Sequence, residues 1–157
     1  MTTTFAVFDV DGVLADVRHR LHHLRTRDWD AFFAAAPHDP LLEEGRRRVR
    51  EAAADHAIVY LSGRPERLRQ VTQAWLDSHD LPAGALVLRG ARDRRPARVV
   101  KPELLAGVAR AGRVALVVDD DTAVCAALRD LGYPVEQATW AGGSTLLRQA
   151  QERDGRT

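Results

Sequence analysis

A chain of 157 residues, 45% hydrophobic and 29% charged, has the size and make-up of one folded domain, which excludes a disordered segment. Its single cysteine, Cys125, excludes an internal disulfide framework and points to a reducing compartment, the cytoplasm. With 23 basic and 22 acidic residues the formal charge is +1, so charge alone announces no polybasic nucleic-acid binder.

No apolar run approaches the roughly 18 residues of a membrane span, and Met1-Thr2-Thr3-Thr4 has no signal-like character, so neither a membrane partner nor export is expected. Of the basic residues 22 are arginine, and Lys101 is the one lysine. A lone ammonium in an arginine-rich chain is either chance or a place where a compact point charge is required.

The first apolar run, residues 5–8, stops at Asp9. Residues 15–41 break the later rhythm, carry His19, His22, His23, Trp29, Phe32 and Phe33, and read as a small helical cap insertion in a single domain, 1–157. A helical period follows over 42–54, then an apolar run over 57–61 that stops at Ser62-Gly63. Pro65 reads as the first position of a helix over 65–78, with Leu68, Val71, Trp75 and Leu76 on one apolar face. Residues 85–88 form a third run ending at Arg89, and 102–111 a helix that Lys101 opens. The fourth run, 114–118, ends at Asp119-Asp120-Asp121. A helix over 122–131 stops at Gly132, and a weaker run near Val135 adds a fifth strand.

Short continuous apolar runs alternating with helices predict an α/β fold, a three-layer, doubly wound, Rossmann-like parallel sheet. Ligands of such sheets bind outside the carboxyl ends of the strands. That edge collects Asp9, Asp11, Ser62, Arg64, Arg89, Lys101, Asp119 and Asp120.

Residues i and i+2 of an extended strand end point the same way, so Asp9 and Asp11 face one site. Carboxylates that close call for a cation between them, and a hard divalent ion such as Mg²⁺ suits oxygen donors. Gly12 lets the chain turn behind them. An N-cap role explains Asp121, but Asp119 and Asp120 fit better as further metal donors. Ser62-Gly63-Arg64 at a strand-to-helix turn offers a hydroxyl, backbone N–H groups and a guanidinium to a phosphate.

Asp9-Val10-Asp11-Gly12-Val13, Ser62, Lys101 and Asp119-Asp120, in that order, resemble the four motifs of the haloacid dehalogenase-like hydrolase superfamily, over roughly residues 5–135. Ser62-Gly63-Arg64, Leu88-Arg89, Val99-Val100-Lys101, Val117-Val118-Asp119-Asp120 and the Asp28-Trp29 insertion are similar to the 3′-phosphatase domain of polynucleotide kinase/phosphatases. The resemblance implies a haloacid dehalogenase-like fold and a Mg²⁺-dependent phosphomonoesterase, first of all a polynucleotide 3′-phosphatase whose substrate is a phosphorylated nucleic-acid 3′ end. It makes Asp9 the nucleophile of an aspartyl-phosphate intermediate and Asp11 the acid and base. Ser62 would bond a phosphoryl oxygen, and Lys101 would stabilise charge on Asp9. Asp9, the Asp11 backbone carbonyl, Asp119 and Asp120 would hold Mg²⁺. Arg64 and Arg89 would face the substrate phosphate, with Ser62 and Gly63.

Val13 stands where many members carry threonine, and no Gly-x-x-x-x-Gly-Lys-Ser/Thr loop is present, so a stand-alone phosphatase is expected. A phosphatase of nucleotides or another small phosphometabolite is the alternative enzyme. A phospho-accepting receiver-type signalling domain and a nucleic-acid-binding module are the alternatives from other classes. Beyond Arg89, the basic stretch Arg92, Arg94, Arg95 and Arg98 reads as an exposed loop rather than a phosphate track. The three histidines read as cap surface, Trp29, Phe32 and Phe33 as the core under the cap, and Cys125 as a small buried residue. Oligomeric state is not legible.

Overall fold

The computed structural model describes residues 2–157. Five parallel strands, β1 (Thr4–Phe8), β2 (Ala57–Pro65), β3 (Gly84–Arg89), β4 (Arg113–Asp119) and β5 (Val135–Gln137), form one sheet in the order β3-β2-β1-β4-β5. The chain winds outward from β1 through β2 to β3, returns to β4 on the other side of β1, and ends at β5. The order therefore reverses between β1 and β4, and that switch point is where an open α/β sheet leaves a crevice. Asp9 follows β1 and Asp119 ends β4, so the two flank the crevice.

Helices cover both faces because successive strand residues point to opposite sides. Ala6, Phe8, Ile58, Tyr60, Leu86 and Val118 pack under α2 (Glu43–Ala53) and α3 (Arg69–Ser78). Val7, Val59, Leu61 and Val117 pack under α4 (Ala97–Ala109) and α5 (Thr122–Asp130), through Leu105, Val124 and Leu128. This is the doubly wound, three-layer arrangement expected from the runs. Among the described residues no helix is long and apolar enough to cross a membrane.

Residues 15–41 fold as a 3₁₀ segment, Arg18–Thr26, a short α1 (Trp29–Ala34) and a 3₁₀ turn, Ala36–His38. Asp28 caps α1 by accepting from the Ala31 N–H. Val17, Leu24, Trp29, Phe32 and Phe33 make a separate small core, completed by Leu147 and Ala150 of α6 (Thr145–Asp154). The aromatic residues of the insertion are core, as expected.

Two helix starts differ from the sequence reading. Pro65 does not begin a helix: β2 runs through it and pairs with Arg89, after a register shift between Ser62 and Pro65. A 3₁₀ turn, Glu66–Leu68, intervenes before α3. The extended geometry delivers the Arg64 side chain into the interior, where it is fully buried. On α3 the buried position is Thr72 and not Val71, which is 36% exposed, because the Thr72 hydroxyl accepts from Arg64 Nη1 at 3.1 Å. The second difference is α4, which starts at Ala97, five residues before Pro102. Lys101 therefore lies within the helix, held at a fixed rotation toward the sheet edge, and Pro102 omits a single backbone donor there.

Cys125 is buried on α5, and burial pushes its thiol up to about 12. Native protein at pH 8 is expected to show no reaction with a thiol-specific disulfide reagent over minutes, and full reaction of its one cysteine in denaturant. Rapid labelling of the native protein would contradict this packing.

Candidate active site

Four elements meet at the crevice. The end of β1 supplies Asp9, the turn after it Asp11, the end of β2 Ser62, Gly63 and Arg64, α4 supplies Lys101, and the end of β4 leads into Asp119 and Asp120. One carboxylate oxygen from each of Asp9, Asp119 and Asp120 lies within 4.8 Å of the other two. Lys101 Nζ stands 3.1 Å from Asp9 Oδ2 and 2.6 Å from Asp119 Oδ2. Gly12, at φ +80°, makes the approach of Asp120 feasible: a Cβ there would overlap the Asp120 carboxylate.

The electrostatics of this cluster are lopsided. Burial, followed by repulsion from Asp119, raises the Asp9 pKa well above its ordinary value, although Lys101 pulls it down. Burial and Asp119 likewise lift Asp120 to about 7. Lys101 is pushed up: burial lowers it, but Asp119 and Asp9 outweigh that. Three buried or half-buried carboxylates against one ammonium leave negative charge without a partner. An all-oxygen donor set with that deficit fits a hard divalent cation such as Mg²⁺.

The Asp11 carboxylate is not part of that cluster. It faces two guanidiniums, accepting from Arg64 Nη2 at 2.6 Å and from Arg20 Nη2 at 3.1 Å. Burial alone would raise its pKa, but Arg64 and then Arg20 overcome this and hold it at about 2. Both arginines are gathered by Asp39, whose fully buried carboxylate accepts from Arg20 Nε at 2.7 Å, Arg20 Nη2 at 2.8 Å and Arg64 Nη2 at 3.1 Å. His19 Nε2 lies 2.6 Å from Asp39 Oδ1, so this histidine closes the network and is not free cap surface. The Arg20 guanidinium also lies 4.2 Å from the centre of the Phe32 ring.

The sequence does not single out Arg20 and Asp39. Each sits among other charged residues of the insertion, and no spacing distinguishes a buried pair from surface charges 19 positions apart.

Ser62 Oγ accepts from the Arg64 backbone N–H at 3.1 Å, which ties the hydroxyl into the turn. Arg64 departs from the expectation of a phosphate contact, because Asp11, Asp39 and Thr72 occupy all three of its nitrogens. Arg89 is also fully buried, and it donates to the carbonyls of Gly63 (2.6 Å), Arg95 (2.7 Å) and Gly155 (2.6 Å). It therefore clamps the turn that carries Ser62. Its Nη2 alone has no hydrogen-bond partner among the described residues. Thr157 packs directly on Gly63, where a Cβ would come 2.5 Å from its carbonyl carbon.

Known proteins resemble this chain in sequence and in fold. The sequence model of the polynucleotide kinase PNKP phosphatase domain matches residues 3–141. No curated protein matches the chain. Among solved structures, one from a Pnkp1/Rnl/Hen1 complex superposes with a TM-score of 0.75 at 24% identity, over 87% of this chain and 46% of that one. The present chain thus spans about half the length of that relative. A haloacid dehalogenase-like family hydrolase from Streptococcus pneumoniae gives 0.64 at 11% identity, over 95% and 91% of the two chains. An enzyme of the same family from Bacteroides thetaiotaomicron, solved with magnesium and inorganic phosphate, gives 0.53 at 9% identity, over 91% and 97%.

Proposed function

Because the chain belongs to the family of polynucleotide kinase PNKP phosphatase domains, and so to the haloacid dehalogenase-like phosphoric monoester hydrolases, we propose that it removes the 3′-phosphate from a nucleic-acid end, with Mg²⁺ and through an aspartyl-phosphate. The observation that carries this reading is the convergence of Asp9, Asp119 and Asp120 on one point, with Lys101 against Asp9, beside the Ser62 turn. The match to a polynucleotide phosphatase domain favours a nucleic-acid end over a small metabolite.

Asp9 is the nucleophile. Its carboxylate oxygen forms a bond to phosphorus as the bond to the leaving oxygen breaks, and Asp11 relays to that oxygen the proton carried in by the monoanionic substrate phosphate. In the second half a water gives its proton to Asp11 and attacks phosphorus, which frees Asp9 and orthophosphate. The arginines keep Asp11 ionised in the resting site, which suits this proton-accepting half. Ser62 Oγ and the backbone of Gly63 hold phosphoryl oxygens, and Lys101 offsets charge shared between Asp9 and the phosphoryl group. Mg²⁺, held by Asp9, Asp119 and Asp120 with the Asp11 backbone carbonyl, would supply the remaining neutralisation of negative charge. Arg64 and Arg89 act through what they hold, the first fixing Asp11 and the second fixing the Gly63 turn.

Phosphate release is expected to be fastest from a 3′-phosphorylated oligonucleotide, slower from its 5′-phosphorylated counterpart and from mononucleotides, and abolished by EDTA with recovery on added Mg²⁺. Preference for mononucleotides would remove the polynucleotide reading, and full activity in EDTA would remove the metal. A single turnover that then stops, with phosphate retained on the protein, would favour a phospho-accepting domain.

A further inference from the structure

Most exposed arginines of this surface are neutralised locally, as in the pairs Arg18–Asp16, Arg46–Glu43, Arg50–Asp80, Arg69–Glu66, Arg95–Glu103 and Arg98–Glu152. Arg25, Arg92, Arg110, Arg113, Arg129 and Arg148 stand singly without an acid among the described residues, and one place gathers several guanidiniums in a concave surface. Arg27, Trp29, Arg94, Arg153, Asp154 and Arg156 line a groove of about 360 Å³ between the cap and the segment that follows α6. Four guanidiniums there stand beside one carboxylate, which pairs with two of them. Asp154 takes Arg27 at 2.5 Å, Arg153 at 2.9 Å and the Trp29 Nε1–H at 2.9 Å. Arg94 donates only to backbone carbonyls, those of Ala91 and Asp93. Arg156 has no carboxylate within ion-pair distance among the described residues. Burial, and then repulsion from Arg156 and Arg67, depress the Arg94 pKa, which shows cations crowding one another.

The position of the groove gives this charge a use. Arg156 is bracketed by Gly155, whose carbonyl accepts from Arg89, and by Thr157, which packs on Gly63. The groove therefore opens one residue from the turn that carries Ser62. Arg153, Asp154 and Arg156 also lie beyond residue 141, outside the stretch that matches the phosphatase-domain family.

We propose that this groove binds the phosphodiester backbone of the substrate strand, leading its 3′ end to the Ser62 turn. The inference rests on the polynucleotide reading above. Unneutralised guanidiniums in a concave surface suit phosphate oxygens, and they release counterions when a strand replaces salt. Neither Arg94 nor Arg156 holds Asp154, so replacing both leaves the ion pairs of the groove wall in place.

The test is the double substitution Arg94→Gln with Arg156→Gln. Three measurements are compared with wild type: anisotropy of a labelled 12-mer with a 3′-hydroxyl, across a salt series; steady-state kinetics on the 3′-phosphorylated 12-mer; and kinetics on p-nitrophenyl phosphate. Binding of the 12-mer is expected to weaken about tenfold. The slope of log affinity against log salt should flatten by about 1.4, because roughly two phosphates of the strand no longer meet a guanidinium. KM for the 12-mer rises in proportion, and p-nitrophenyl phosphate hydrolysis is unchanged. An unchanged affinity and slope overturns the proposal, as does an equal loss on both substrates. Polyglutamate competing as well as the oligonucleotide would also overturn it, by making the groove a general polyanion surface. Should wild type release no phosphate from the 12-mer while binding it through these arginines, the polynucleotide-phosphatase reading fails and the groove stands.

Discussion

Asp9→Asn protein is expected to fold normally and to release phosphate at least about 10⁴-fold more slowly than wild type, because the amide oxygen cannot form the covalent intermediate. The substitution keeps shape: Asp9 Oδ1 accepts the Val10 N–H at 2.8 Å, and an amide oxygen serves equally. Lys101 retains Asp119 at 2.6 Å. One of three clustered carboxylates becomes neutral, so repulsion with Asp119 and Asp120 falls. The thermal midpoint in metal-free buffer should therefore match or exceed that of wild type. Loss of activity without loss of stability separates a reacting group from a structural one. Activity within tenfold of wild type would remove Asp9 as nucleophile and, with it, the aspartyl-phosphate.

Asp39→Ala should behave in the opposite way, as a stability variant first. The Asp39 carboxylate has no solvent exposure and is shared by Arg20 and Arg64, which are themselves fully buried. Deleting it leaves two interior guanidiniums facing the single carboxylate of Asp11. Breaking one partner out of a buried ionic network costs about 3–5 kcal/mol, because the remaining charges cannot be resolvated. In a chain of this length that lowers the thermal midpoint by roughly 6–20 °C, readable by calorimetry or circular dichroism. The backbone at this position stays anchored, since Trp75 Nε1–H donates to the Asp39 carbonyl at 2.9 Å. Turnover measured well below the midpoint should still fall, since Asp11 loses the fixed orientation of both its arginines. A midpoint within about 2 °C of wild type would show that the network contributes little to the fold.

The two variants also divide what sequence reasoning reaches from what it does not. Asp9, Asp119 and Lys101 are legible because each sits where an apolar run stops or where composition is exceptional, and a parallel sheet sends every such stop to one edge. Four of the strands are readable for the same reason: residues buried on both faces admit little besides Val, Ile, Leu, Ala and aromatics. Boundaries differ where a tertiary partner overrides a local signal. Pro65 is a good first helical residue in isolation, yet the bond from Arg64 to Asp11 requires the chain to remain extended there. Pro102 looks like a start because proline is rarely tolerated inside a helix, whereas α4 accepts it in its second turn. His19 reads as surface because its partner, Asp39, lies 20 positions away in the same polar insertion.

Length, the pattern of apolar runs and the order of short polar signals were enough to establish a doubly wound α/β chain with its acids and its one lysine at a common edge. Such signals are local, and the sheet converts them to proximity by a general rule. The tertiary structure alone decided how the charges are shared: Asp11 with arginines rather than with the acidic cluster, Arg89 on carbonyls rather than in open space, and Arg94 and Arg156 brought to one groove without acids of their own. Pairing of that kind depends on distances between residues far apart in the chain. Those distances exist only once the cap, the strand ends and α6 have packed together.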